Sequence, residues 1–134
     1  MQVKVGDSLV EDTIPEDQAL VINTPEGLVV IAGCGHAGIV NTMEYARTIA
    51  DGRPIHAVIG GFHLLALTDE KLDWTGAKMR EFGTEHVIGA HCTGINAVTH
   101  LREAGNFSRQ TAVVGAVGST FTLGEGIQLG ALNR

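Results

Sequence analysis

The fold of this chain turns on "VVIAGCGHAGIV", residues 29–40. A β-branched apolar run passes into Gly33-x-Gly35-x-x-Gly38 and then into a helical pattern. That is the glycine spacing of a dinucleotide-binding turn, where backbone N–H groups receive a pyrophosphate. The same six residues also hold Cys34 and His36, donor types of a metal loop. A dinucleotide unit wants an acidic residue about 20 positions on, at the end of its second strand, to hold the ribose. Here that strand ends Ile59-Gly60-Gly61, and the nearest acid, Asp51, sits in the turn before it. A hairpin also precedes the glycine run, where the dinucleotide unit opens on a single strand. The metal reading is the stronger of the two.

The flanking pattern predicts alternating strands and helices. "ALVINT" (19–24) and "GLVVIAG" (27–33) flank Pro25-Glu26 and read as a hairpin. A helix pattern runs from Asn41 to about Asp51 and is closed by Gly52 and Pro54. "IHAVIGG" (55–61) is a short buried strand. Thr68 is the expected N-cap of a second helix that ends at Phe82-Gly83, where glycine suits the C-terminal cap. "HVIGA" (86–90) is a third strand core, and Ile95 to Ala104 is a helix ending at Gly105. The β-branched, glycine-rich tail from Thr111 predicts two or three final strands. The resulting order, β-β-α-β-α-β-α-β-β, implies an α/β sheet with helices packed on it, in one domain over residues 1–134.

Three of those strands end in a glycine-bearing loop with a histidine: Gly-Cys-Gly-His36, Gly-Gly-Phe-His63 and Gly-Ala-His91-Cys. In open α/β sheets ligands bind outside the carboxyl ends of the strands. Neighbouring strands would bring these imidazoles to one rim, and neutral imidazole is the commonest metal ligand. His56, His86 and His100 stand at strand starts or on a helix face and read as structural or solvated. His63, in the run Phe62-His63-Leu64-Leu65, is equally a hydrogen-bonded histidine under a loop. Cys34 and Cys92 are either small buried residues or thiolate ligands. Trp74 and Tyr45 read as helix packing, and Asp69, Glu70 and Asp73 as a solvated helix start.

Composition removes several classes of function. The formal charge of −6 leaves no basic footprint for nucleic acid or an anionic membrane. No apolar run approaches the roughly 18 residues of a membrane span. The amino terminus lacks a signal-peptide core. With only 2 cysteines, far apart, a reducing cytoplasm is the expected compartment.

The segments "DTIPEDQALVINTPEGLVVIAGCGHAGIVNTMEYA" (12–46), "IHAVIGGFHLL" (55–65) and "EFGTEHVIGAHCTGINAVTHL" (81–101) resemble the metallo-β-lactamase superfamily. The nearest branch looks like the methanopterin-type dihydropterin phosphate synthases. The motifs carrying the resemblance are Gly-Cys-x-His-Ala-Gly-Ile-x-Asn at 33–41 and His-Cys-Thr-Gly at 91–94, and it extends roughly from Asp12 to Thr122. It implies an αββα sandwich of two similar halves, with one or two metal ions, commonly zinc, at the rim between the sheets. This chain matches only the second half: a mixed sheet with helices on one face. By the resemblance His36 and His91 are metal ligands, His63 lies in the Gly-Gly-Phe-His loop near the site, and Cys34 occupies a frequent ligand position. Cys92, Thr93 and Gly94 become the candidate substrate-binding residues.

The signature His-x-His-x-Asp-His of the first half, with the acid that orients the attacking water, does not occur in these residues. The implied function is a zinc-binding half-domain with metal-dependent hydrolase chemistry as its possible activity. The alternative is a non-catalytic half-domain that binds a small molecule or a partner. Glu26 and Asp51 are the remaining candidates for the missing proton acceptor. A half-sandwich also leaves one sheet face bare, in runs such as Leu28-Val29-Val30-Ile31, Ala112-Val113-Val114 and Phe121-Thr122-Leu123. A homodimer through that face, or a separate chain supplying the first half, is the expected partner.

Overall fold

A computed structural model of the protein describes residues 2–11 and 16–130. Gln2–Val5 (β1) and Ser8–Glu11 (β2) form an antiparallel hairpin apart from the main sheet. It is not among the expected elements: its strands have only 4 residues each, and its side chains from Lys4 onward are exposed. Ala19–Thr24 (β3) and Gly27–Ala32 (β4) follow, then helix Ile39–Thr48 (α1) and strand Ile55–Gly61 (β5). Next come helix Asp69–Glu81 (α2), strand His86–Ala90 (β6), helix Ile95–Gly105 (α3) and strand Ala112–Val114 (β7). These strands make one five-stranded sheet in the order β3-β4-β5-β6-β7, with β3 antiparallel to β4 and the remaining pairs parallel. The fold is α/β with a mixed sheet, as the element order implies. Thr120–Thr122 (β8) and Gly126–Gln128 (β9) pair as a separate hairpin and do not extend the sheet.

Local chemistry sets the element ends. At the β3–β4 turn the Thr24 hydroxyl donates to the Gly27 carbonyl at 2.7 Å. A side chain on Gly27 would stand 2.9 Å from the Pro54 carbonyl oxygen, so the tight junction with β5 requires glycine. Thr68 is the N-cap of α2, as expected, in the extended conformation, but its side chain makes no cap bond. The acidic Asp69 and Glu70 in the first turn complement the helix dipole instead. At the other end Gly83 (φ 77°) donates to Arg80 and Thr84 to Met79, each at 3.0 Å, the paired bonds of a Schellman cap. In α3 the left-handed residue is Asn106 (φ 59°), one position beyond the expected Gly105. Asparagine tolerates that conformation better than most side chains. Gly105 is the last helical residue, and it must be glycine because the Phe107 ring fills the space where a Cβ would stand.

All three helices feed one core. Leu28, Val30 and Ala32 of β4 alternate toward it and meet Ile39, Met43 and Ala46 of α1, Leu72 and Met79 of α2, and Leu101 of α3. Each large side chain buried this way contributes about 1.5–3 kcal/mol relative to exposure. Close α2–α3 packing rests on Gly76, where a Cβ would stand 2.9 Å from that of Ala104. His100 joins the same helices through Asp73 at 3.0 Å and Asp69 at 3.3 Å. The Asp73 hydrogen bond raises its pKa, which fits the structural role expected of it. Tyr45 and Trp74 are 67% and 53% exposed, so neither is the packing residue its helix pattern suggests.

The opposite sheet face carries Ile22, Val29, Ile31, Ile59 and Ile88, around an open apolar groove of about 790 Å³. Leu28 and Val30, expected on this face, point into the helix-covered core instead. Phe121 comes from the β8–β9 hairpin, which lies across part of the groove, and not from a sheet strand.

Candidate metal centre

The carboxyl ends of β4, β5 and β6 meet at one rim. Gly60 and Gly61 permit the approach, for a Cβ on Gly61 would stand 2.7 Å from the Gly33 carbonyl oxygen and 3.0 Å from the Cys92 sulfur. Beyond the strands the chain turns through His63 and His91, both left-handed at φ 52°. Non-glycine residues in that region cost about 1–3 kcal/mol each and persist only where neighbours hold them. Here the His63 N–H donates to Cys92 Sγ at 3.2 Å, and the Leu65 N–H to the Cys92 carbonyl at 3.2 Å.

Cys34 is the hub of the rim. Its sulfur lies 2.9 Å from Cys92 Sγ, 3.6 Å from His91 Nδ1 and 3.9 Å from His63 Nδ1. The His36 and His63 rings stand edge to face with centroids 5.0 Å apart. Ligand atoms of Cys34, His91 and Cys92 all lie within 4.8 Å of one another, as do those of Cys34, His36 and His63. Tetrahedral zinc, with bonds of about 2.0–2.3 Å, spaces its ligands about 3.3–3.8 Å apart, so small side-chain adjustments close either set on an ion. The three histidines are thus divided between two overlapping groups that share one thiol.

The loops also set protonation. His36 Nδ1 lies 2.9 Å from the Glu16 carbonyl oxygen. A carbonyl only accepts, so Nδ1 carries the proton and the Nε2 lone pair remains for an ion. The neighbouring Cys92 thiol, then burial, push the Cys34 pKa up to about 11. Cys34 therefore favours the thiol form by itself, and a bound cation would reverse that preference. This donor set fits a metal ion.

Two residues of the rim are missing from the sequence expectations. Asp17 accepts from the Gln18 N–H at 3.0 Å and the Ala37 N–H at 2.8 Å, tying the Cys34–His36 loop to the start of β3. Burial raises its pKa, but the backbone N–H groups outweigh that and hold it below the usual carboxylate value. Its partner in the same segment is Glu16, through the carbonyl that orients His36. The signal lay in the hairpin register: Ala19 pairs with Ala32, which sets residues 16–18 beside the loop that follows β4.

The other expected residues have different places. Thr93 is wholly buried, and its hydroxyl accepts from the Phe62 N–H at 3.1 Å and donates to the Gly60 carbonyl at 3.3 Å. It ties the loop ends together. Gly94 (φ 85°) caps α3 against Leu65. Cys92 stands among the metal donors. Trp74, half exposed, shares a cleft of about 290 Å³ with His36 and His63. Glu26 and Asp51 precede β4 and β5, at the opposite end of the sheet from this rim, so neither can serve it as a base.

A mixed sheet with helices on one face and a cysteine–histidine cluster at the carboxyl ends of its parallel strands defines an α/β scaffold with a candidate metal site. The chain is similar to a metal-dependent hydrolase of the beta-lactamase superfamily known from its crystal structure: 37% identity and a TM-score of 0.66, over 77% of this chain and 40% of that one. It is 34% identical over 95 residues to a 7,8-dihydropterin-6-methyl-4-(beta-D-ribofuranosyl)-aminobenzene-5'-phosphate synthase of Methanocaldococcus jannaschii, covering 71% of this chain and 32% of that protein. An uncharacterised protein of the same organism matches at 33% identity over 100 residues, 73% of this chain and 35% of its own length. No family model matches the chain. In fold and sequence the chain resembles members of the metallo-β-lactamase superfamily, and it spans about a third of the curated relatives it matches. No helix among the described residues is long and apolar enough to cross a membrane.

Proposed function

We propose that this chain binds a divalent metal ion, zinc by the chemistry of its donors, at the Cys34 rim, as the metal-binding half of a hydrolase-type centre. The observation that carries this reading is the sharing of Cys34 between two donor groups. Thiolate and imidazole select zinc over magnesium or calcium, which prefer oxygen. In such a centre a zinc ion lowers the pKa of bound water toward neutrality and polarises a carbonyl or phosphoryl oxygen. The chain's own residues hold and orient: His36 through its Nδ1 bond to Glu16, and Cys34 through the loop that Asp17 secures.

A proton acceptor for hydrolysis is the weak point. Both Asp17 oxygens are engaged by backbone N–H groups, and its lowered pKa makes it a poor base. This favours the second reading, a rim that binds metal or a small molecule without turning it over. Zinc-loaded protein is therefore expected to hydrolyse β-lactams, phosphodiesters and thioesters at rates near the uncatalysed blank. A substantial metal-dependent rate that disappears in His91→Ala would contradict this and require an acceptor within the chain.

The bare sheet face is best suited to a second copy. Leu20, Ile22, Ile31 and Leu123 are each exposed by a third or more, and the groove beside them is apolar. Contiguous apolar patches of this kind on monomers mark interfaces. Two chains stacked sheet on sheet about a two-fold axis would restore a four-layer sandwich, with a total buried area on the order of 2,000 Å². Sedimentation equilibrium at micromolar concentration should give a dimer mass, and a well-folded monomer would refute the proposal.

A further inference from the structure

A second cluster of metal-type donors stands at the opposite, amino end of the sheet. His56 of β5 is 6% exposed. Its Nε2 lies 2.9 Å from Glu26 Oε2 in the β3–β4 turn. Its Nδ1 is buried without a hydrogen-bond partner, 3.4 Å from Glu85 Oε2 in a geometry that makes no such bond. His86 at the start of β6 sets its ring 5.1 Å from that of His56, and its Nδ1 is also buried and unpartnered. Ligand atoms of His56, Glu85 and His86 lie within 4.8 Å of one another. They border an open cleft of about 460 Å³, closed on one side by the β8–β9 turn. Phe121 packs on both imidazoles, and the Gly124 N–H donates to Glu26 at 3.3 Å.

Two orphaned imidazole nitrogens in one place are costly, since a buried polar atom without a partner has lost its water and gained nothing in return. A Glu26–Glu85 ion-pair network around His56 satisfies only part of this set, leaving both Nδ1 atoms unmet. A cation held by one nitrogen of each ring and by the Glu85 carboxylate would give the group a common partner. The carboxylate on Nε2 of His56 is the outer partner that a metal-binding histidine characteristically has, directing the other nitrogen toward an ion. Two imidazoles and one carboxylate suit zinc and similar late first-row ions.

We propose that His56, His86 and Glu85 form a second divalent-metal site, separate from the Cys34 rim, that fastens the β8–β9 hairpin to the amino end of the sheet. It does not depend on the function assigned to the rim.

The test is stoichiometric titration of chelator-treated protein with zinc alone, and with cobalt alone as a spectroscopic probe. Wild-type protein should take a second equivalent whose cobalt spectrum lacks the thiolate charge-transfer band. Glu85→Gln, a change at an exposed side chain, and His86→Asn should each weaken that equivalent tenfold or more while leaving the thiolate band intact. A Cys34→Ser/His91→Ala double variant should still bind one zinc and gain thermal stability from it, unless Glu85→Gln is added. If the rim itself binds nothing, one equivalent without a thiolate band should remain and be lost in Glu85→Gln. The proposal is overturned if no equivalent is sensitive to Glu85→Gln or His86→Asn, or if every bound ion shows the thiolate band.

Discussion

Cys34→Ser is expected to weaken zinc binding at the rim by well over tenfold, and more than either His36→Ala or His91→Ala. The reason is its position. Cys34 belongs to both donor groups, whereas His36 and His91 belong to one each. Removing outer partners of metal ligands alone costs roughly 10–100-fold in affinity, so removing a shared ligand should cost at least that. Losing His91 still leaves Cys34, His36 and His63, and losing His36 leaves Cys34, His91 and Cys92. Competition titration against a chromophoric chelator reads the affinities directly. Circular dichroism separates ligand loss from unfolding, which is not expected because Cys34 is only partly buried. Equal affinity in wild type and all three variants would remove the rim as a metal centre.

Gly60→Ala is expected to destabilise the fold by about 3 kcal/mol or more, a large share of a small domain's stability of about 5–15 kcal/mol. Gly60 has φ 127°, a region that side chains rarely enter, and its Cβ would overlap the Ala32 carbonyl oxygen. Gly60 and Ala32 form the last register pair between β4 and β5, immediately before Gly33 and Cys34. Relief requires the two strands to part where they present the metal donors. Gly52→Ala is the matched control: φ is 76°, but nothing lies within 4 Å of the added atom. It should cost only the left-handed strain of about 1–2 kcal/mol. Urea unfolding midpoints at constant m separate the two cases. A Gly60→Ala loss no larger than that of Gly52→Ala would show that the strands yield easily.

The same residues show what the sequence made legible. The period and punctuation of residues 19–105 specify the strand–helix alternation, because apolar runs bounded by glycine, proline and asparagine have few alternative foldings. The histidines at strand ends were legible because parallel strands send their carboxyl ends to one edge. The partners of Thr93 are not legible in the sequence, because its hydroxyl meets the Phe62 N–H and the Gly60 carbonyl only once β5 and the loop after β6 are side by side. Asp17 and Glu16 went unseen because their role depends on pairing across the β3–β4 hairpin, and Glu16 acts through a carbonyl that every residue possesses. His56 and His86 read as strand starts, since the Glu26 and Glu85 carboxylates reach them only after the bulge at Leu28/Val29 and the β5–β6 pairing set the register. The β8–β9 hairpin has strand composition, yet composition does not say whether a strand joins a sheet or lies across it.

X-ray absorption at the zinc edge, on protein loaded with one equivalent of zinc, tests the central claim most directly. The account predicts a four-coordinate ion with sulfur at about 2.3 Å and imidazole nitrogen at about 2.0–2.1 Å, the sulfur lost or reduced in Cys34→Ser. A first shell of nitrogen and oxygen alone, unchanged by that substitution, would contradict it.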